Sequence, residues 1–417
     1  MRNRLRSAAV LSLAFASVAA PPAKADDRPL FSFSGYGTIG AAHSSNDQAD
    51  YLVDEFKPNG PGHTRRWSAD VDTRLGLQGL AQFTPQLSAV VQVITQQRYD
   101  DTYRPEVEWA NVKYQATPDF SVRAGRVVLP IYMVTDSRRV GYANPWVRPP
   151  VEVYSMVPVT HVDGIDANYR ALVGDTTARL EVTVAQSDSH FPGASGFTPG
   201  VAKARGIFAL VGTVERGFAT FRANWGRADL TIDSFGPFAD AFRQFGPVGE
   251  DIVNRYSVDR RNVDFIGLGA TYDPGRWFVT GEWAKFDTHS ILGDKSAWYV
   301  SGGHRFGKWT PYLTYAAIKA DSRTSDPGLP LAGLPPQAAA TAAFLDQTLN
   351  QTLGLIPQQR TASIGVRWDF ARSAALKLQL DEVRVDSGSR GTFGNFQPGF
   401  APGSSARIFS AVVDFVF

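Results

Sequence analysis

The sequence predicts an all-β protein, a sixteen-stranded antiparallel β-barrel that crosses a membrane. Three observations predict it. Stretches of about ten residues alternate apolar and polar side chains with the two-residue period of a strand. The connections between them alternate long and short. The chain also opens on a leader of the kind that directs export.

"MRNRLR" is a basic start, "AAVLSLAFASVAA" an apolar core too short to span a membrane, and "AKA" at Ala23–Ala25 a small-x-small cleavage site. Residues 1–25 read as a cleaved signal peptide, and 26–417 as a single barrel domain. Removing Arg2, Arg4, Arg6 and Lys24 leaves 38 basic against 40 acidic residues, a net of −2. The basic balance of the whole chain is therefore a property of its leader. No basic run with interleaved aromatics appears, so nothing points to nucleic acid. There is no cysteine, which excludes disulfides and thiolate chemistry. After the leader no run of 18 apolar residues occurs, which excludes helical membrane spans. The most apolar helix-like segment, 338–356, is interrupted by Asp346 and Asn350.

The strand segments start near residues 30, 69, 86, 105, 119, 162, 176, 205, 217, 262, 276, 294, 308, 359, 374 and 406. In "TTARLEVTVAQ", Leu180, Val182 and Val184 oppose Arg179, Glu181 and Thr183. In "RTASIGVRWDF", Ile364, Val366 and Trp368 oppose Ser363, Arg367 and Asp369. The short connections are 84–85, 117–119, 174–176, 215–217, 273–275, 307–308 and 372–373. The long ones lie near 43–68, 99–104, 129–161, 188–204, 231–261, 289–293, 321–358 and 387–405. An even strand count with tight turns at one rim and longer loops at the other describes a bacterial outer-membrane barrel. Lipid cannot satisfy an open sheet edge, so the sheet closes. Tyr36, Phe83, Tyr114, Phe120, Tyr169, Tyr272, Trp277, Phe306, Trp309, Phe370 and Phe417 fall near strand ends, as interfacial girdles require. The final "AVVDFVF" reads as the closing strand, with its aromatics toward lipid and Asp414 toward a watery lumen.

"DTRLGLQG" (72–79), "WANVKY" (109–114), "VRAGR" (122–126), "DANYR" (166–170) and the terminal Phe417 resemble the general diffusion porins of Gram-negative outer membranes. The likeness runs through the exported chain in order and is strongest from about residue 69 to 170. It implies a homotrimer, passive diffusion of small hydrophilic solutes and ions, and a third loop folded inward to narrow the channel. It also implies that Phe417 is the signal read by the barrel-assembly machinery. The third long connection here is 129–161, the candidate constriction loop. Two departures stand out. Glu106 holds a place where those proteins often carry Arg, and the acidic "PEFGG" tip of the third loop is missing.

A sixteen-strand barrel holds an aqueous channel, and lumen charges sort solutes by sign. Strand parity turns Arg74, Lys113, Arg123, Arg170, Arg179, Arg222, Arg367 and Lys377 inward, with acids that include Asp70, Asp72, Glu106, Asp166, Glu181 and Asp369. Arg74 matches the constriction Arg of the resembling family. The loop itself supplies Asp136, Arg138, Arg139, Arg148 and Glu152, a net of +1. Pro145, Pro149, Pro150 and Pro158 stiffen it by fixing φ. The constriction set is therefore Arg74, Glu106, Lys113, Arg123, Asp136, Arg138, Arg139, Arg148, Glu152, Arg170 and Arg179. It predicts an unselective or weakly anion-leaning aperture. Each of these residues also fits a plainer role as a solvated wall residue or half of an ion pair. No cofactor or metal spacing appears. A barrel enzyme is disfavoured because none of the six histidines falls in a catalytic motif. A substrate-specific channel stays open as the alternative.

Overall fold

The computed structural model describes residues 30–193 and 199–417. The signal-peptide segment lies outside the described residues. Sixteen long strands form the barrel: β1 (Phe31–Ser44), β2 (Arg74–Gln82), β3 (Leu87–Gln96), β4 (Glu106–Thr117), β5 (Phe120–Val128), β6 (His161–Val173), β7 (Thr176–Phe191), β8 (Gly200–Arg216), β9 (Ala219–Ile232), β10 (Arg261–Tyr272), β11 (Trp277–Asp287), β12 (Lys295–His304), β13 (Trp309–Ala320), β14 (Gln359–Ala371), β15 (Ala374–Val385) and β16 (Ala406–Val416). Each pairs antiparallel with its sequence neighbours. β1 also pairs with β16, from Tyr36 opposite Val416 to Ser44 opposite Ile408, and this closes the sheet. The last residue is part of the seam: Phe417 N–H donates to Gly35 O at 3.0 Å, and Gly35 N–H returns a bond to Phe417 O at 2.8 Å.

The alternation sorts as lipid on one side and a polar interior on the other demand. Leu77, Val112, Val184, Leu268, Leu313 and Ile364 are exposed on the outside of the wall. Ten of the eleven girdle aromatics are exposed as well. Tyr36 is the exception. It turns inward, is buried, and donates from its hydroxyl to Gln92 Oε1 at 3.4 Å.

Two strand starts differ from the periodicity. β2 begins at Arg74 rather than near 69, because 69–73 turns back on itself with Thr73 N–H donating to Ala69 O at 3.3 Å. β8 begins at Gly200 rather than near 205. A bulge shifts the register between Arg205 and Phe208, with Gly206 at φ +58°, and the extra residue breaks the alternation there.

The long loops carry most of the helix. α1 (Val151–Tyr154) is one turn within the third loop. α2 (Gly236–Arg243) and α3 (Gly246–Tyr256) follow β9, and α4 (Pro336–Leu353) precedes β14. These three pack on a shared apolar core that includes Phe242, Ile252, Val253, Leu345 and Leu349. Asp326 ties the cap together: it accepts from Arg255 at 2.6 Å and from the Tyr256 hydroxyl at 2.7 Å. The 338–356 segment is thus one helix of a cap at the long-loop rim. His304 closes β12 at its exposed end, beside Phe306.

Candidate functional site: the loop across the lumen

A sixteen-strand interior is too wide for wall side chains to fill. The third loop, 129–160, crosses it and packs against the strands opposite its origin. The lining residues of those strands are apolar or paired because the loop, not water, covers them. Trp146 donates from its indole to Ser301 Oγ at 2.7 Å and packs edge-on against Tyr299. Met133 N–H donates to Glu282 Oε2 at 3.0 Å, and the Tyr154 and Tyr299 hydroxyls both donate to Glu282 Oε1. Lys377 Nζ donates to the carbonyls of Gly141 at 2.7 Å and Trp146 at 2.8 Å while pairing with Asp414 at 2.7 Å. A side chain at position 141 would strike the Asp414 carboxylate, so the loop comes this close only with glycine there.

Asp414 is therefore not solvated by the lumen. It is fully buried beneath the loop and held by Lys377 and the Thr38 hydroxyl. The expectation of a watery neighbour failed because a segment distant in sequence covers it.

The eleven expected constriction residues divide into three groups. Arg148 and Glu152 present no free charge to the channel. The Arg148 guanidinium is buried, with Nε and Nη2 on Asp72 at 3.0 and 2.6 Å, Nη1 on Asp381 at 3.4 Å, and Nη2 on Ser410 at 2.7 Å. Buried Glu152 accepts from Gln359 Nε2 at 2.7 Å and from the Thr361 hydroxyl. Both fasten the loop to β14–β16 and to the segment before β2.

Arg170 and Arg179 stand by the short-turn rim. Arg170 pairs with Asp119 at 3.1 Å and Arg179 with Glu215 at 3.4 Å, and the two face each other across β6 and β7. They are not joined to the loop.

The other seven surround the space left between the loop and the wall. Asp136 is exposed on the loop. Arg138 lies beside the stacked rings of Tyr132 and Tyr154, 5.4 Å from each, and donates to Tyr154 O at 2.5 Å. Arg139 reaches Gln96 Oε1 at 3.0 Å and Glu108 at 4.0 Å. Arg74 donates to its neighbour's carbonyl, Asp72 O, at 3.1 Å. Arg123 is shared by Asp166 at 2.8 Å and Glu181 at 3.2 Å. Lys113 sits directly opposite Arg123 across β4 and β5. Glu106 pairs with Arg98 at 3.7 Å.

Two more cations join them. Arg222 Nη2 donates to Pro130 O at 3.0 Å. Lys57, from the first loop, is buried and donates to Gln97 O at 2.5 Å. Parity finds Arg222. Nothing in "EFKPNG" singles out Lys57, because a loop has no period.

Charges on this side are unbalanced. Among the described residues, Arg74, Lys57, Lys113, Arg138 and Arg222 have no carboxylate within 4.0 Å, as the ion pairs show. Their hydrogen bonds run to carbonyl oxygens, which leave the positive charge uncancelled. Among the described residues, Asp54, Asp136 and the loop-covered Glu282, one strand beyond the partner of Arg222, are acids near these cations without a base at ion-pair distance. Burial pushes the Lys57 ammonium down to about 8, with Asp54 opposing and Arg139 and Arg74 reinforcing the shift.

A family model described as Gram-negative porin matches residues 8–323. No curated protein matches the chain. Among solved structures, an anion-selective porin from Comamonas acidovorans is 13% identical and superposes with a TM-score of 0.52, covering 93% of this chain and 99% of its own. In-vitro folded OmpT, an outer membrane protein of Vibrio cholerae, is 10% identical with a TM-score of 0.50, covering 95% and 100%. At these identities the likeness is one of fold.

Proposed function

Because this chain belongs to the Gram-negative porin family, we propose that its channel favours small hydrophilic anions. The protein is an outer-membrane channel for passive diffusion of solutes. The finer reading concerns sign and aperture. The observation that carries it is the set of five cations, Arg74, Lys57, Lys113, Arg138 and Arg222, that face the open side of the loop without carboxylate partners. A water-filled passage with low-dielectric walls focuses their field on passing ions. The loop forms the constriction, and its buried ties to the far wall keep the aperture fixed. Asp136 tempers the preference rather than reversing it. The anion selectivity of the Comamonas acidovorans porin accords with this sign.

Residues 1–25 act as the cleaved export signal, Phe417 as the mark read by the barrel-assembly machinery, and the native unit is a homotrimer. The barrel has no enzymatic role in this reading. The test is the reversal potential of the purified protein in a planar bilayer under a salt gradient. Anion preference is expected. A clear cation preference would overturn the reading.

A further inference from the structure

We infer that the outer vestibule of this channel binds amphipathic monoanions, solutes with an aromatic or branched apolar body and a single carboxylate. The inference deepens the anion reading above and rests on it. It starts from a break in the sequence pattern. In a water-filled barrel the lumen face of each strand is polar. In β8, residues 207–211 read Ile-Phe-Ala-Leu-Val, apolar on both faces. Phe208 and Leu210 are exposed to lipid, while Ile207, Ala209 and Val211 turn inward. Their neighbours continue the patch on the inner face: Ala228 and Leu230 on β9, Val263 and Phe265 on β10. Apolar residues there gain nothing from water.

The third loop covers only part of this patch. Above it remains a cavity of about 390 Å³, within the range of small-molecule sites. Leu129, Ile131, Met156 and Val157 of the loop form one side. The β8–β10 patch forms another, and the cap contributes Phe235 and Ile356. Polar lining is sparse. Lys295 is neutralised by Glu55 at 3.4 Å, and Arg227, opposite lipid-facing Phe208, turns its side chain outward to Asp264 at 2.9 Å. Asp54 accepts from Phe56 N–H at 2.9 Å, which leaves its charge in place, so it weakens the field of Lys57 without pairing with it. Lys57 is the lining cation without a carboxylate partner, and it stands where the vestibule meets the cations of the aperture. An apolar body can therefore sit against β8–β10 while its carboxylate faces Lys57 and the arginines below. Such a site holds a solute at the entrance long enough to raise its local concentration, which a general passage for sugars or salts does not need.

The experiment uses the full-length refolded protein in planar bilayers, with 4-phenylbutyrate, acetate, 4-phenylbutanol and 4-phenylbutylamine added on the long-loop side. A solute bound in the vestibule interrupts the ion current. The inference expects 4-phenylbutyrate to block at a concentration at least tenfold lower than any of the other three. Leu230→Gln and Ala228→Asn, each leaving the aperture cations in place, should raise that concentration severalfold without moving the reversal potential. Equal block by 4-phenylbutyrate and acetate, with anion preference intact, would overturn the site and leave the proposed function standing. Equal block by 4-phenylbutyrate and 4-phenylbutanol would overturn its anionic character. Unchanged block in both variants would also overturn the site. A cation-preferring reversal potential would instead remove the reading on which the inference rests.

Discussion

Arg148→Ala tests how firmly the loop is held. The Arg148 guanidinium makes four hydrogen bonds to Asp72, Asp381 and Ser410, and all the charged groups involved are buried. Removing it leaves two carboxylates facing each other without a cation. Breaking a buried pair from one side costs about 3–5 kcal/mol. If the loop-in and loop-displaced states share the wall, that cost shifts their ratio by roughly two to three and a half orders of magnitude toward displacement. The remaining ties, Lys377 on two loop carbonyls and Glu152 on β14, keep most molecules closed. The expected record is a raised open-channel noise with excursions to higher conductance, together with a lower temperature for the heat-induced mobility shift of the folded barrel. Arg148→Met combined with Asp72→Asn and Asp381→Asn removes the charges together and should recover most of the loss. Wild-type noise and wild-type heat stability in Arg148→Ala alone would refute the anchoring role.

Other consequences are more limited. A unit charge about 8 Å from a permeating ion in water is worth roughly 0.5 kcal/mol. The anion loses that attraction and the cation an equal repulsion, so Arg74→Gln and Arg222→Gln should each lower the anion-to-cation permeability ratio roughly fivefold, and together more, as read by reversal potentials. Lys57 is protonated below about 8 and neutral above it, so anion preference should fall as pH rises through that value. In Lys57→Met the step should be absent. Asp326 is held below the usual carboxylate range: burial opposes the charge, but Gly328 N–H, the Tyr256 hydroxyl and Arg255 outweigh it. A depressed carboxylate contributes stability that is present above its unfolded value near 3.8 and lost as pH falls through the lower folded value. Protease cleavage within 321–358 should rise over that acidic window. Asp326→Asn should cleave readily at neutral pH and show no acidic step.

The barrel was legible because lipid imposes the period. Sixteen segments, seven tight turns and the closing strand follow from alternation and turn residues alone. The start of β8 was missed where Gly206 inserts an extra residue, since a bulge looks like the end of a pattern. Parity also placed Arg74, Lys113 and Arg123 on the lumen face. It could not say which charges are cancelled. Asp414 and Lys377 have the same parity signal as Lys113, yet the first two are sealed beneath the loop and the third is unpaired. The difference lies in where 129–160 lands, and that depends on contacts between residues more than 200 positions apart, such as Trp146 O with Lys377. Arg148 and Arg138 are likewise indistinguishable as letters. One is neutralised by Asp72, while the other is held by ring faces and carbonyls.

An open channel follows from this structure, and its unpaired lumen cations set its preference. It is tested most directly by single-channel current from the refolded wild-type protein under a potassium chloride gradient. Ohmic steps without added ligand and a reversal potential on the anion side are expected. Silence from folded protein, or a reversal potential on the cation side, would contradict it.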